Sequence, residues 1–372
     1  MPHPPQTEIC AAFLAARQRG LRTRDAAEAI GLSEGAALAA HLGLQEGPTR
    51  AVALRPDWLA LLQSLQPCGP LLALTRNAST VHEKTGCYEK LSGHGATGLA
   101  LGSDIDLRLF FGQWHAGMAV TELPTQGHAA AQPDAEILPS LQFFDRNGTA
   151  VHKIFPREGT HRAAWKQVVA QWSDPLGVCS FVAPGAPVVA APVAVDSVAF
   201  AQAWGNMTDT HQFFPLLKQF GVERLQGFRL VEGRYTRRVP LNAVRDTLVE
   251  AAFDDTPIMV FVGSPGCIQI HTGPVRRVEP MEVQGKTWLN VLDPGFNLHL
   301  REDLLGEVWV VEKPTADGVV TSLEAFDQHG AAMAMFFGAR KPGQAELQAW
   351  RHILAHLPTL EADAAPRMKE AA

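Results

Sequence analysis

The chain has 372 residues, of which 46% are hydrophobic and 19% charged, as in ordinary globular proteins, and this length favours two domains. A formal net charge of −6 excludes a general electrostatic attraction to nucleic acid or anionic membrane, so an anionic ligand would need a local cluster of Arg and Lys. The five cysteines form no C-x-x-C pair, which argues against a zinc site or a disulfide framework and fits a reducing cytosol.

The N-terminal segment, residues 1–65, is predicted to be a helical start. Its first residues lack a basic region and an apolar run, so we expect no signal peptide and a cytoplasmic location. Residues 24–41 resemble a helix-turn-helix, which leaves a DNA-binding regulator as a distant alternative. The second of these helices contains Glu34 and no Lys or Arg, whereas a helix that faces phosphate should be basic. We therefore interpret the segment as a helical hairpin that caps the first half, and we expect no nucleic-acid partner.

Residues 178–196 are rich in Pro, Ala and Val and predict an extended linker. Their prolines and a glycine make them a poor transmembrane helix, so we expect no membrane insertion. The linker separates an N-terminal half, 1–177, from a C-terminal half, 197–372.

The two halves resemble each other at three places in the same order, which indicates an internal duplication. The matched strings are Thr85-Gly-Cys-Tyr and Pro265-Gly-Cys-Ile, Asp106-Leu-Arg-Leu and Asn297-Leu-His-Leu, and Leu141-Gln-Phe-Phe-Asp-Arg-Asn-Gly and Leu323-Glu-Ala-Phe-Asp-Gln-His-Gly. Helical spacing is found at 161–172, 197–223, 241–252 and 343–356, and strand composition at 257–271 and 306–312. The Asp-x-x-Gly segments predict hairpins. We therefore predict an α+β fold of two similar halves, each with a large antiparallel sheet flanked by helices.

Several longer strings resemble one family. They are Asp209-Thr-His-Gln-Phe-Phe-Pro-Leu-Leu, Phe261-Val-Gly-Ser-Pro-Gly-Cys, Val308-Trp-Val-Val-Glu-Lys-Pro-Thr, Phe336-Phe-Gly-Ala-Arg-Lys-Pro-Gly and, in the first half, Asp106-Leu-Arg-Leu-Phe-Phe. Together they are similar to the hemin-degrading factors, the HemS/ChuS/PhuS-type cytoplasmic haem proteins of Gram-negative haem-uptake operons. The resemblance covers roughly residues 60–172 and 197–356. It implies two similar halves and one haem (iron protoporphyrin IX) in a cleft beside the second half.

The resemblance also implies the residues that hold the haem iron. His211 matches the axial histidine, and an imidazole nitrogen is a common haem ligand. Arg108 matches an arginine on the other face of the haem and is the candidate catalytic residue. Strand alternation places Phe110 on the same face as Arg108, where it would pack on the porphyrin. Pro215 lies four residues after His211 and cannot donate to its carbonyl, so it should kink or delay the helix there.

Further positions match the rest of the haem pocket. Haem carries two propionates that need cationic partners, and Arg224, Lys313 and Arg340 match the candidates for that role. Phe261 matches a pocket aromatic, although a strand core residue is nearly as good an interpretation.

The implied function is haem uptake and iron acquisition, and two roles remain open. As an enzyme, the protein would open the haem ring with electrons from an external donor. As a carrier, it would pass haem from an inner-membrane transporter to a separate haem oxygenase. A non-haem metal enzyme is a weaker interpretation, and we find no glycine-rich phosphate loop and no G-x-S-x-G motif.

Overall fold

The computed structural model describes residues 5–122, 137–183, 185, 193–340 and 343–360. Within these residues the α-helices are α1 Gln6–Gln18, α2 Thr23–Ala29, α3 Glu34–Ala39, α4 Trp58–Gln63, α5 Arg162–Trp172, α6 Ser197–Gly205, α7 Phe213–Phe220, α8 Arg224–Leu230, α9 Ala243–Phe253 and α10 Gln348–Ala355. Four short 3-10 turns span Gln66–Cys68, Phe111–Gln113, Thr210–Gln212 and Glu302–Leu304.

The strands of the described residues pair in antiparallel fashion, apart from two isolated parallel bridges. The first ten are β1 Thr49–Leu54, β2 Leu71–Arg76, β3 Thr80–Gly86, β4 Leu91–His94, β5 Thr97–Leu101, β6 Asp106–Phe110, β7 Ala116–Glu122, β8 Ser140–Phe144, β9 Ala150–Pro156 and β10 Ser173–Asp174. The others are β11 Thr236–Val239, β12 Ile258–Gly263, β13 Cys267–Gly273, β14 Val278–Val283, β15 Lys286–Asp293, β16 Phe296–Arg301, β17 Leu305–Thr315, β18 Gly318–Asp327 and β19 Ala332–Gly338. The predicted α+β class with antiparallel sheets is confirmed.

The chain divides into two compact units. Unit 1 consists of Met1–Pro187, Val262–His271 and Pro294–Asn297, and unit 2 of Val188–Phe261, Thr272–Asp293 and Leu298–Ala372. Unit 1 therefore includes two segments from beyond the predicted linker. Of that linker, residue 184 and residues 186–192 lie outside the described residues.

Unit 1 contains strands in the order β10-β1-β7-β8-β9-β2-β3 and a second group in the order β13-β6-β5-β4. One core lies between α4, α5 and the strands, where α5 buries Ala164, Trp165, Val168 and Trp172 along one stripe. A second core forms where α1–α3 pack on β1, β7 and β8. The helix-turn-helix-like segment is thus part of this core: Ala26 and Ala27 of α2 and Ala37 and Leu38 of α3 are fully buried.

A buried charge cluster, which we call the Glu34 cluster, ties α3 to the sheet of unit 1. The Glu34 carboxylate, on the first residue of α3, accepts hydrogen bonds from Lys153 Nζ at 2.6 Å and Arg76 Nη2 at 3.0 Å. Burial alone would raise the pKa of Glu34, but Lys153 and Arg76 hold it at about 2. The acid therefore comes from the helix and the bases from the strands.

Unit 2 contains strands in the order β11-β17-β18-β19-β12 and a further group in the order β16-β15-β14. Helices α6, α7 and α8 cover part of the first group, and their core includes Phe200, Trp204, Phe228 and Trp309. The indole N–H of a buried tryptophan in this core has a partner, since Trp204 Nε1 donates to the Glu312 carbonyl at 2.9 Å.

The predicted hairpins β8–β9 and β18–β19 are built in the same way. Asp145 Oδ1 accepts the backbone N–H groups of Asn147 and Thr149, and Asp327 Oδ1 accepts those of His329 and Ala331, all at 2.8–2.9 Å. The glycine of each turn has φ near +80°, which only glycine adopts readily. Both hairpins also contain a register shift before the turn. The shared construction agrees with the predicted duplication.

Three predicted elements differ from the structure. The helical start also contains β1, whose residues are mostly buried in the sheet of unit 1. The helix predicted at 197–223 is broken between α6 and α7, because Asn206 ends α6 and Asp209 caps a new turn. The helix predicted at 343–356 begins only at Gln348, because Glu346 Oε1 accepts the Thr321 backbone N–H at 2.8 Å and holds the preceding segment against β18.

Candidate functional site

His211 lies on the 3-10 turn Thr210–Gln212 that leads into α7. Asp209 caps this turn: its Oδ1 accepts hydrogen bonds from the His211 backbone N–H at 2.8 Å and from His211 Nδ1 at 2.7 Å. Gln212 completes a capping box by accepting the Thr208 and Asp209 backbone N–H groups. The His211 side chain is 92% exposed. With Nδ1–H donated to Asp209, Nε2 carries the lone pair that a metal ion can accept.

Pro215 is the third residue of α7. The first N–H groups of a helix have no intrahelical acceptor, so proline removes nothing at this position. The α-helix accordingly begins at Phe213, after His211, which agrees with the delay that Pro215 predicts. His211 is therefore held by a capped turn and not by a continuous helix.

Arg340 lies close enough to this turn to act on Asp209. The backbone N–H and the ring of His211 lower the pKa of Asp209 below its usual range, and the Arg340 guanidinium acts in the same direction. The structure thus brings together His211, its carboxylate partner and one of the three predicted cations.

The other two cations, Arg224 and Lys313, meet at Glu324, and we call this group the Glu324 cluster. Glu324 Oε2 accepts from Arg224 Nε at 2.6 Å, and Oε1 accepts from Arg224 Nη2 at 2.9 Å and Lys313 Nζ at 2.8 Å. Burial raises the pKa of Glu324, but the two cations outweigh it and hold that pKa at about 2. The cluster has a net charge of +1, of which only Arg224 is partly accessible, since the Lys313 side chain is 4% exposed.

Aromatic contacts connect the Glu324 cluster to the His211 turn. The Phe213 ring, two residues after His211, lies 4.9 Å from the Arg224 guanidinium and 4.8 Å from Lys313 Nζ. The Thr208 carbonyl accepts the Ala316 backbone N–H at 2.8 Å, which ties the turn to the loop between β17 and β18. The turn and the sheet of unit 2 are therefore parts of one site.

Beside the cluster, the sheet presents a half-buried apolar floor, made of Met259, Phe261, Met335 and Phe337. Phe261 pairs with Met335 and Met259 with Phe337 across β12 and β19, so all four side chains lie on one face. The Phe261 and Phe337 rings pack edge to face at 5.0 Å, and Met335 Sδ accepts from Arg224 Nη2 at 3.2 Å. A flat apolar ligand would find contact surface here.

In unit 1, Arg108 and Phe110 lie on the exposed face of β6, as strand alternation predicts. Leu99 and Leu101 of β5 lie on the same face, because Leu99 pairs with Arg108 and Leu101 with Asp106. Arg108 forms an ion pair with Asp106 and donates to the Leu107 carbonyl at 3.3 Å. This face combines one arginine with an exposed apolar surface.

Two residues of the site were not predicted from the sequence. Glu324 could have been suspected, because it is an acid at a strand position between buried apolar neighbours. The contact between Asp209 and the His211 ring has a weaker signal, an Asp at a capping position two residues before a His. Within the described residues, no three His, Cys, Asp or Glu side chains are grouped as a protein-only metal site requires.

Fold and site together define a duplicated α+β protein with an exposed, carboxylate-bound histidine beside an apolar, cationic sheet face. The family model of the haemin-degrading HemS.ChuX domain matches the chain twice, at residues 31–172 and 221–357. The chain belongs to this family, and the double match confirms the predicted duplication. No helix of the described residues is both long and apolar enough to span a bilayer.

Named relatives extend over nearly the whole chain. The hemin transport protein HmuS of Yersinia pestis is 37% identical over 344 residues, which is 92% of this chain and 94% of the relative. The structure is similar to holo-PhuS, a heme-binding protein from Pseudomonas aeruginosa, with a TM-score of 0.86, 40% identity and coverage of 96% of this chain and 100% of that one. It is also similar to the heme degrading enzyme ChuS of Escherichia coli O157:H7, with a TM-score of 0.84, 33% identity and coverage of 95% and 99%.

Proposed function

We propose that this protein binds one haem in the cytoplasm, through His211 Nε2, and serves haem uptake and iron acquisition. The observation that carries the proposal is the hydrogen bond from His211 Nδ1 to Asp209, which commits the opposite ring nitrogen to accepting a metal. Relatives named for hemin transport, heme binding and heme degradation support haem as the ligand.

The residues around His211 fit a porphyrin. The apolar floor of Met259, Phe261, Met335 and Phe337 would contact the macrocycle. Arg224 and Arg340 are the proposed propionate partners, since each retains some exposure. Lys313 is buried beneath the Phe213 ring and would act through its charge, by keeping the Glu324 cluster cationic. In unit 1, Arg108 and Phe110 are proposed to act on the bound haem.

Bound haem supplies iron for transfer or for oxygen chemistry on its own ring. The proposed role therefore has two forms: delivery of haem to a separate oxygenase, or ring opening by the protein itself with electrons from a partner. Arg108 favours the second form, because a charge-assisted donor on an exposed apolar face can stabilise developing negative charge.

Hemin titration of the native protein and of two matched variants tests the proposal. His211→Ala should change the Soret spectrum and accelerate haem loss, because the axial nitrogen is gone. His329→Ala is the control, since His329 also follows an aspartate by two residues and also donates its backbone N–H to that aspartate at 2.8 Å. If the spectrum and dissociation rate of His211→Ala match those of the native protein, His211 is not the ligand.

A further inference from the structure

We infer that Asp209 is a positioning residue for the proposed haem ligand: it fixes the tautomer and orientation of the His211 ring and makes Nε2 a stronger donor to iron. The inference rests on the proposed function. It goes beyond it by assigning a role to a carboxylate that would not itself touch haem.

The first argument is geometric. A single oxygen, Asp209 Oδ1, accepts both the backbone N–H and the ring Nδ1 of His211, at 2.8 and 2.7 Å. The ring is therefore tied to the same anchor as its own backbone. An exposed side chain ordinarily samples several rotamers, and the His211 side chain is 92% exposed, so packing does not hold it. The hydrogen bond to the Asp209 carboxylate holds the ring instead.

The second argument compares two Asp-x-His segments of the same unit. Asp327 also accepts the backbone N–H of His329, but its Oδ1 accepts the Ala331 backbone N–H as its second donor. In that hairpin turn both donors to Asp327 Oδ1 are backbone N–H groups. In the 3-10 turn Thr210–Gln212, the capping box assigns Gln212 to the Thr208 and Asp209 N–H groups, and the second donor to Asp209 is the ring. The contact between the aspartate and the histidine ring is therefore a feature of the His211 turn. It does not follow from the Asp-x-His spacing alone, because Asp327 and His329 have the same spacing.

The third argument is chemical. A metal-binding histidine usually donates its other N–H to a carboxylate or a carbonyl, which fixes the tautomer and raises the basicity of the ligating nitrogen. A carboxylate does so more strongly than an amide, because its hydrogen bond is charge-assisted.

Three variants separate the effects. Asp209→Asn keeps an acceptor oxygen and removes the charge. Asp209→Ser keeps a helix-capping oxygen but is too short to hold the ring. Asp196→Asn is the control, because Asp196 caps α6 in the same unit by accepting the Val198 and Ala199 N–H groups.

The first readout uses the haem-free protein and is independent of haem binding. Nitrogen-15 NMR of the His211 ring in alkaline solution reports which of the two ring nitrogens carries the proton. The native protein, Asp209→Asn and Asp196→Asn should carry the proton on Nδ1, and Asp209→Ser should shift it towards Nε2. An unchanged tautomer in Asp209→Ser would overturn the inference, leaving Asp209 a turn cap only.

The second readout uses the haem-loaded protein. The iron–histidine stretching frequency of the reduced form should fall in Asp209→Asn and further in Asp209→Ser, and haem should dissociate about 10-fold faster from Asp209→Ser. Asp196→Asn should match the native protein in both measurements. Equal frequencies in the native protein and Asp209→Asn would refute the electronic part of the inference. A failure of His211 as the ligand would appear separately, as native behaviour of His211→Ala.

Discussion

Arg224 and Glu324 form a two-point ion pair, with Nε–Oε2 at 2.6 Å and Nη2–Oε1 at 2.9 Å, although 100 residues separate them in the chain. The pair joins the first residue of α8 to the middle of β18. Glu324 is fully buried, so its charge depends on Arg224 and Lys313 for compensation. The ion pair thus connects the helical layer of unit 2 to the sheet, and it includes Arg224, one of the cations proposed to bind the haem propionates.

Glu324→Gln should therefore destabilise the protein strongly. Removing one partner of a buried ion pair leaves uncompensated charge and typically costs about 3–5 kcal/mol. Glutamine fits the position, because Gln142 occupies the matching place in the first half and is fully buried. Urea unfolding measures the loss. Glu279→Gln, in an exposed ion pair with Arg277, should leave the midpoint unchanged. A native midpoint for Glu324→Gln would contradict a structural role for the cluster.

Stability should fall in two stages as the solution is acidified. Burial lowers the pKa of His152 to about 3, so between pH 6.5 and 4.5 the unfolded chain binds a proton that the native state does not. Each such proton costs about 1.4 kcal/mol per pH unit. Below pH 4.5, Glu34 and Glu324 bind protons in the unfolded chain, whereas in the native state their pKa values are held at about 2. Stability therefore falls further in this range. His152→Gln should reduce the slope of the first stage in urea titrations, and the remainder belongs to His41, whose pKa burial also lowers. An unaltered slope would exclude His152 as a source of the first stage.

Arg108→Ala should distinguish enzyme from carrier. If the protein opens the haem ring, loss of a donor that stabilises developing negative charge should slow product formation by ~10²–10³. Haem affinity should fall much less, because His211 and the propionate partners remain. The assay is aerobic turnover with a reductant and catalase, since free peroxide degrades haem unaided. Arg157→Ala, an exposed arginine of unit 1, is the control. Turnover abolished by catalase in the native protein would identify a carrier.

One haem should bind per chain despite the duplication. Helices α2 and α7 correspond, because each ends shortly before the first residue of a family match, at 31 and 221. In unit 2, α7 follows the His211 turn, whereas α2 of unit 1 follows Leu21 and Arg22, with Arg22 as its N-cap. Without an imidazole at that place the first repeat has no equivalent ligand. Soret titration should saturate at one equivalent, and saturation at two equal sites would show that the first repeat binds as well.

The sequence predicted the features that depend on neighbouring residues. Strand alternation placed Arg108 and Phe110 on one face, and the turn residues of Asp145 and Asp327 marked both hairpins. Residue patterns were less informative where a single polar side chain determines the backbone conformation. The predicted helix at 197–223 continues in apolar spacing, but α6 ends at Asn206 and Asp209 caps a new turn.

The Glu324 cluster was beyond local patterns altogether. Arg224, Lys313 and Glu324 come from a helix and two positions on paired strands, and nothing in their separate strings indicates that they meet. Each cation alone was predicted as a propionate partner. The structure adds that Lys313 is buried and that Glu324 neutralises part of their charge, which makes Arg224 the accessible member of the three.

The two charge clusters also concern a problem of a duplicated chain, namely that the helix of one repeat could dock on the sheet of the other. In the first repeat the acid is on the helix, at Glu34, and a base is on the sheet, at Lys153; in the second the base is on the helix, at Arg224, and the acid on the sheet, at Glu324. If α3 docked on the sheet of the second repeat, Glu34 and Glu324 would share Lys313 as their one cation from the two clusters, and α8 on the first sheet would place Arg224 beside Lys153 and Arg76. Reversed polarity therefore makes each helix electrostatically better suited to the sheet of its own repeat.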